Sequence, residues 1–186
     1  MKEVRVFLAS SIDEFKYERI DLGDFIRKIT DQTIEQDMYL KFSVCENMSN
    51  SVSKSRKQEE YNQEIRKSDF FYVIFGKKAG EYTIEELDIA AQQFKETGKP
   101  AIFVYSQKPI DNMLVADKDK LILDRIRGEN DGISYREYTH IDNMKLDIIN
   151  DFIEKKIFTG KVSVEKEKVL LNGKKLFRFE NMVEEE

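Results

Sequence analysis

The hydrophobic pattern changes period repeatedly along the chain. Val4-Arg5-Val6-Phe7-Leu8-Ala9 is β-branched and apolar and predicts a buried strand, with Ser10-Ser11 as the cap of a following helix. From Asp13 to about Asp31 the apolar residues Phe15, Leu22, Phe25, Ile26 and Ile29 fall at helical spacing and predict a core-facing stripe. Met38–Val44 is a second strand candidate. Val52 to Lys67 is polar, with Tyr61 and Ile65 one turn apart, and predicts a short, mostly exposed helix. Phe70 to Phe75 is apolar throughout and stops at Gly76, the pattern of a strand buried on both faces in the middle of a parallel sheet. Thr83 to about Thr97 predicts a helix closed by Gly98. Pro100 to Tyr105 predicts another strand, Lys118 to Arg127 a helix, Ser134–Tyr138 a short strand and Ile141 to Ile157 an amphipathic helix.

Strand and helix alternate about five times, which predicts a parallel sheet with helices on both faces. Ligands bind such sheets at the carboxyl ends of the strands, so the loops after Ala9, Val44, Phe75 and Tyr105 are the ones to inspect. Residues 1–158 make up this α/β domain. The tail, residues 159–186, differs: Asn172-Gly173 lies between two apolar-containing runs and predicts a short β-hairpin, and Glu184-Glu185-Glu186 extends as a charged end.

Composition narrows the function classes. The 186 residues are 40% hydrophobic and 36% charged, enough for one core under a solvated surface of mixed sign. A net charge of -5 argues against a binder of polymeric nucleic acid, which is normally basic, but leaves room for a single nucleotide in a local pocket. The only cysteine, Cys45, sits in a strand-like run and reads as packing; the only histidine is His140. One of each cannot form a usual zinc site, so no metal centre is expected. No signal-peptide pattern precedes Val4, and no apolar run approaches the roughly 20 residues that span a bilayer, so a cytoplasmic location away from membranes is expected.

The chemistry concentrates after the central strand candidate. Gly76 and Gly80 give a glycine-containing loop, and Tyr82-Thr83-Ile84-Glu85-Glu86-Leu87 opens the next helix. Two readings stand for Glu86. Thr83 with Glu86 matches a capping box, in which the carboxylate only holds a backbone N–H. Alternatively Glu86 is a functional carboxylate. With Ile84, Leu87, Ala91 and Phe94 as the apolar stripe, about 100° per residue points Glu85 into solvent and sets Glu86 on the shoulder, toward the crevice. Ile89 falls on the outer face, as a contact with another element or subunit would. Ser10 and Ser11 offer hydroxyls and N–H groups for phosphate or ribose, or simply cap a helix. Glu46 and Asn47 follow the second strand and offer contacts to sugar hydroxyls, or ordinary loop polarity. Arg66 and Asp69 flank the central strand and read as a structural ion pair or turn. Lys54 to Lys57, with Arg56, reads as a solvated helix face that could also steer an anion.

These residues resemble the Toll/interleukin-receptor-like (TIR-like) superfamily, in particular bacterial TIR-like domains. The resemblance rests on Val6-Phe7-Leu8-Ala9-Ser10-Ser11-Ile12-Asp13-Glu14-Phe15, on Ser68-Asp69 before the Phe70–Phe75 run, on Gly76 with Gly80, on Thr83-x-x-Glu86-Leu87-x-x-Ala90 and on Gly98-Lys99-Pro100. It covers roughly residues 4–106. It implies a flavodoxin-like fold and a glutamate, here Glu86, that cleaves NAD⁺ to nicotinamide and ADP-ribose or a cyclised product. NAD is then a substrate and no cofactor is needed. Gly76, Tyr82 and Thr83 would line the site with Ser10, Ser11, Glu46 and Asn47; with no tryptophan in the chain, Tyr82 is the aromatic before the glutamate. The resemblance also implies self-association and a place in anti-phage defence or signalling. Nucleoside 2-deoxyribosyltransferases and deoxynucleotide N-glycosidases share the outline and the bond class. A non-catalytic interaction module, or a receptor for a nucleotide messenger, would use the same surface.

Overall fold

The structure, a computed structural model, describes residues 1–44, 54–77, 79–108, 116–127 and 132–179, with backbone alone at 54–58, 116–119 and 127. The elements run β1 Lys2–Ser10, α1 Lys16–Thr33, a 3₁₀ turn Ile34–Gln36, β2 Met38–Val44, α2 Lys54–Lys67, β3 Phe70–Phe75, α3 Glu81–Thr97, β4 Ala101–Gln107, α4 Ala116–Arg127, β5 Ile133–Tyr138 and α5 Ile141–Glu154. Three short strands follow: β6 Val162–Glu165, β7 Lys168–Leu171 and β8 Lys174–Arg178. The first five strands form one parallel sheet in the order β2-β1-β3-β4-β5, a flavodoxin-like α/β arrangement. The expected central strand is the middle one, and every residue of β3 is buried.

Alternation along the strands separates two cores. Val4, Val6 and Leu8 of β1 and Phe70, Tyr72 and Ile74 of β3 join Leu22, Phe25 and Ile29 of α1 and Met144, Ile148 and Phe152 of α5. Phe7 and Ala9, with Phe71, Val73 and Phe75, meet Ile65 of α2, Leu87, Ala90 and Ala91 of α3 and Ile122 of α4. A period of two on the strands and a stripe on each helix thus become one sheet covered on both faces. The chain leaves β1 toward β2 on one side and returns past it to β3 on the other. The gap above β1 and β3 is therefore the topological switch point, where crevices open in such sheets.

An ionic clip ties β5 to α5 within the first core. Arg136 donates from Nη1 and Nη2 to the Asp151 carboxylate at 2.9 and 2.6 Å, and from Nη1 to the Tyr105 hydroxyl at 2.8 Å. The guanidinium also lies 5.1 Å from the Phe103 ring centre. Burial pushes the Asp151 carboxyl up, and the Arg136 fork opposes that shift. The Tyr72 hydroxyl donates to the same carboxylate at 3.4 Å.

The tail is folded against this core. Val169, Leu171, Leu176 and Phe177 are buried with the α1 and α5 residues, and Phe177 meets Phe25 edge-on at 5.5 Å. The expected hairpin is β7–β8, turning at Asn172 and Gly173, whose φ values of 52° and 79° fit the left-handed pair that an Asn-Gly turn supplies. A third strand, β6, joins it through Lys166 and Glu167, also at positive φ. No helix among the described residues is long and apolar enough to cross a membrane.

Candidate functional site

The loop after β1 is occupied differently from the helix cap expected there. Ser10 is the last residue of β1, opposite Ile74 of β3, and is buried. The buried Arg19 of α1 donates from Nη1 to its carbonyl oxygen at 3.0 Å and to its hydroxyl at 3.1 Å. Ser11 accepts at its carbonyl oxygen from the Phe15 N–H and at its hydroxyl from the Glu14 N–H, forming a turn before the helix. α1 therefore begins at Lys16 with Phe15 in the cap position and no side-chain cap. Neither serine caps it, because the chain turns once between Ser11 and Phe15 before the helix starts. Arg19 carries no signal of this role in the sequence, and Glu14 enters there only as part of the run that opens the resemblance.

Glu14 reaches across to the loop after β3. Its Oε1 accepts from the Lys77 N–H at 2.6 Å, and a Cβ on Gly76 would overlap its carboxylate. Gly76 is thus required by close approach, and the loops after β1 and β3 meet at the switch point. Gly80, at φ −67° and ψ 141°, caps α3 without a side-chain hydrogen bond, and Ile84 donates to its carbonyl oxygen. α3 starts at Glu81. Thr83 is then inside the first turn and Glu86 is in the second, so the capping-box reading is corrected: Thr83 is not the cap.

Glu86 is 4% exposed and Glu85 is exposed. The buried positions of α3 are Thr83, Glu86, Leu87, Ala90 and Ala91, so Glu86 lies within the buried stripe rather than on its shoulder. Ile84 and Phe94 are half-buried, and Ile89 packs against the second core, the other-element contact its outer position implied. Tyr82 is 70% exposed. Glu46, Asn47 and Cys45 lie outside the described residues. So do the side chains of Lys54, Arg56 and Lys57. Arg66 pairs with Glu59 at 3.6 Å, while Asp69 accepts from the Arg5 N–H at 3.0 Å and from Lys99 Nζ at 2.6 Å. Both are structural, though not partners of each other. Among the described residues no three His, Cys, Asp or Glu side chains gather as a metal ligand set.

Two clefts are formed by described residues. One, of about 260 Å³, lies between α1 and α5 above the ends of β4 and β5, bordered by Tyr17, Glu18, Asp21, Gln107, Tyr138 and His140. The other, of about 360 Å³, lies between α3 and α4 at Asp88, Lys95 and Arg125, where Arg125 forks onto Asp88. Neither borders Glu86. His140 accepts from the Asp142 N–H at 3.2 Å and caps α5 with Asn143, a structural task for the lone histidine.

No protein-family model matches the sequence, and no curated protein matches it. Among solved structures, the chain is similar to the CMP N-glycosidase BcmB of Clostridium botulinum, with 17% identity and a TM-score of 0.48, over 79% of this chain and 98% of that one. It is also similar to the heterodimer of the RPS4 and RRS1 TIR domains, with 15% identity and a TM-score of 0.48, over 84% of this chain and 100% of that one.

Proposed function

We propose that the protein is a TIR-like N-glycosidase that cleaves the nicotinamide–ribose bond of NAD⁺, with Glu86 as its working carboxylate. The observation that carries this reading is the burial of Glu86 in the second turn of the helix that follows the Gly76–Gly80 loop, while its neighbour Glu85 is in water. A carboxylate withdrawn from water is costly to fold and strong electrostatically. Such a group, on the helix that leaves the switch-point loop, is a candidate for chemistry.

The reaction suits one carboxylate. As nicotinamide leaves C1′ of the ribose, positive charge builds on the sugar ring, and a carboxylate near it stabilises that charge or traps it covalently. Nicotinamide departs with the bonding electron pair and becomes neutral, so no general acid is needed. Water then takes the ribose carbon, or a second atom of the same nucleotide closes a ring. Ser10, Ser11, Gly76, Tyr82 and Thr83 surround this end of the sheet in the proposal, with Glu46 and Asn47 from the loop after β2. Activity depends on self-association, and the protein acts as a defence or signalling effector. NAD⁺ enters as substrate and not as cofactor.

Incubation of concentrated protein with NAD⁺, deoxynucleosides and deoxynucleotides, followed by product analysis, tests the substrate. Free nicotinamide is the expected product. Release of a base from a deoxynucleoside or deoxynucleotide, with NAD⁺ left intact, would transfer the site to the deoxyribosyltransferase or nucleotide N-glycosidase class. Assembly with no turnover would leave an interaction module.

A further inference from the structure

A side chain outside the sheet and outside α3 joins the two loops that meet at the switch point. Glu14 stands half-buried in the turn before α1, and its Oε1 accepts from the Lys77 N–H at 2.6 Å, a link between positions 63 apart in the sequence. That N–H makes no other hydrogen bond among the described residues. A bond from a backbone N–H to a carboxylate is charge-assisted, roughly twice as strong as one between neutral groups. Gly76 makes room for it. A Cβ there would overlap the Glu14 carboxylate, yet the φ of Gly76 lies outside the left-handed region. The glycine is required for space and not for conformation.

The clip reaches Glu86 by a short path. Only residues 78–80 separate Lys77 from Glu81, where α3 starts. Glu86 follows in the second turn, about 7–8 Å further along the helix axis. Gly80 caps the helix with its carbonyl oxygen and no side-chain hydrogen bond, so the first turn takes its place from the loop and from the packing of Leu87 and Ala90 behind it. A catalytic group misplaced by about 1 Å can lose about 10² in rate. A small movement of this loop is therefore enough to matter for the carboxylate it carries.

We propose that Glu14 is a positioning residue for the Glu86 carboxylate: it clamps the Lys77 N–H, holds the loop after β3 and so fixes the start of α3. It touches no substrate itself. Its effect on rate rests on the NAD⁺ reading above; its effect on where Glu86 stands does not. The test compares the parent with Glu14→Gln, Glu14→Ala, Gly76→Ala and the Glu14→Ala, Gly76→Ala double variant. Three quantities are read: amide hydrogen exchange at Lys77, the side-chain carboxyl ¹³C resonance of Glu86 (assigned with Glu86→Gln), and nicotinamide release from NAD⁺. Glu14→Ala should speed exchange at Lys77 at least about tenfold and shift the Glu86 resonance. It should lower kcat about 10–10²-fold with KM held within about twofold. Glu14→Gln keeps an acceptor oxygen and should stay near the parent in all three. Gly76→Ala displaces the carboxylate and should match Glu14→Ala, yet add nothing in the Glu14→Ala background, where the space is already clear. The proposal is overturned if Lys77 exchanges alike in the parent and Glu14→Ala, or if the Glu86 resonance stays in place when Glu14 is removed. It is equally overturned if Gly76→Ala costs as much without Glu14 as with it. A parent that releases no nicotinamide overturns the NAD⁺ reading alone, and exchange at Lys77 with the Glu86 resonance still decides whether Glu14 positions that carboxylate.

Discussion

A phenol kept from water holds its proton more tightly than one in the unfolded chain. Burial raises Tyr138, Tyr105 and Tyr72 above the ordinary tyrosine value of 10.0, and nearby carboxylates add to it: Glu18 and Glu14 for Tyr138, Asp147 for Tyr105 and Asp151 for Tyr72. Below about pH 10 these groups are protonated in both states and their contribution to stability is complete. As pH rises past that value the unfolded tyrosines ionise while the native ones do not, so stability falls. Urea midpoints should therefore hold steady to about pH 9 and drop above pH 10, with a shallower drop in Tyr138→Phe. A flat profile through pH 11 would show that these phenols titrate normally. At the same scale, the exposure of Glu85 was legible from helical spacing, but the depth of Glu86 was not. The expected stripe was drawn through Ile84 and Phe94, whereas tertiary packing turns the helix so that Thr83, Glu86 and Ala90 face inward. Propensity and spacing place a residue on a helix; what lies opposite decides which face is buried.

At the scale of elements, the Arg136–Asp151 fork fastens β5 to α5. Removing one partner of a buried pair strands the other, so Asp151→Ala should cost about 3 kcal/mol in urea unfolding. A loss under about 1 kcal/mol would mean the pair behaves like an exposed one. The elements themselves were readable because their signals are local. The apolar run Phe70–Phe75 marked the central strand, Gly98 marked the end of α3, and Asn172-Gly173 marked the β7–β8 turn. Where the signal was absent, the reading stopped short. Lys166 and Glu167 adopt the positive φ of a hairpin turn without the residues that favour it, so β6 was not anticipated. Ser10 carries the residue type of a helix cap, yet the chain makes an additional turn before α1 and Arg19 claims its oxygens. A cap is recognised by where the helix begins, which depends on that turn.

For the whole molecule, the sheet order puts the loops after β1 and β3 side by side, and the carboxyl-terminal strands close the α1–α5 face. Burying Val169, Leu171, Leu176 and Phe177 is worth about 1.5–3 kcal/mol for each side chain. Together they rival the whole stability of a domain, about 5–15 kcal/mol. A chain ending at residue 158 should lose its cooperative thermal transition, and a truncated protein that melts as sharply and as high as the full chain would show that the tail is dispensable. The functional account depends on one helix of this molecule and on one carboxylate within it. Nicotinamide release from NAD⁺ should be followed with concentrated protein and a crowding agent to favour assembly, comparing the parent with Glu86→Gln and Glu85→Gln. The account predicts a fall of about 10²–10³ in rate for Glu86→Gln and a rate near the parent's for Glu85→Gln. Equal loss in both variants, or full activity in Glu86→Gln, would contradict it.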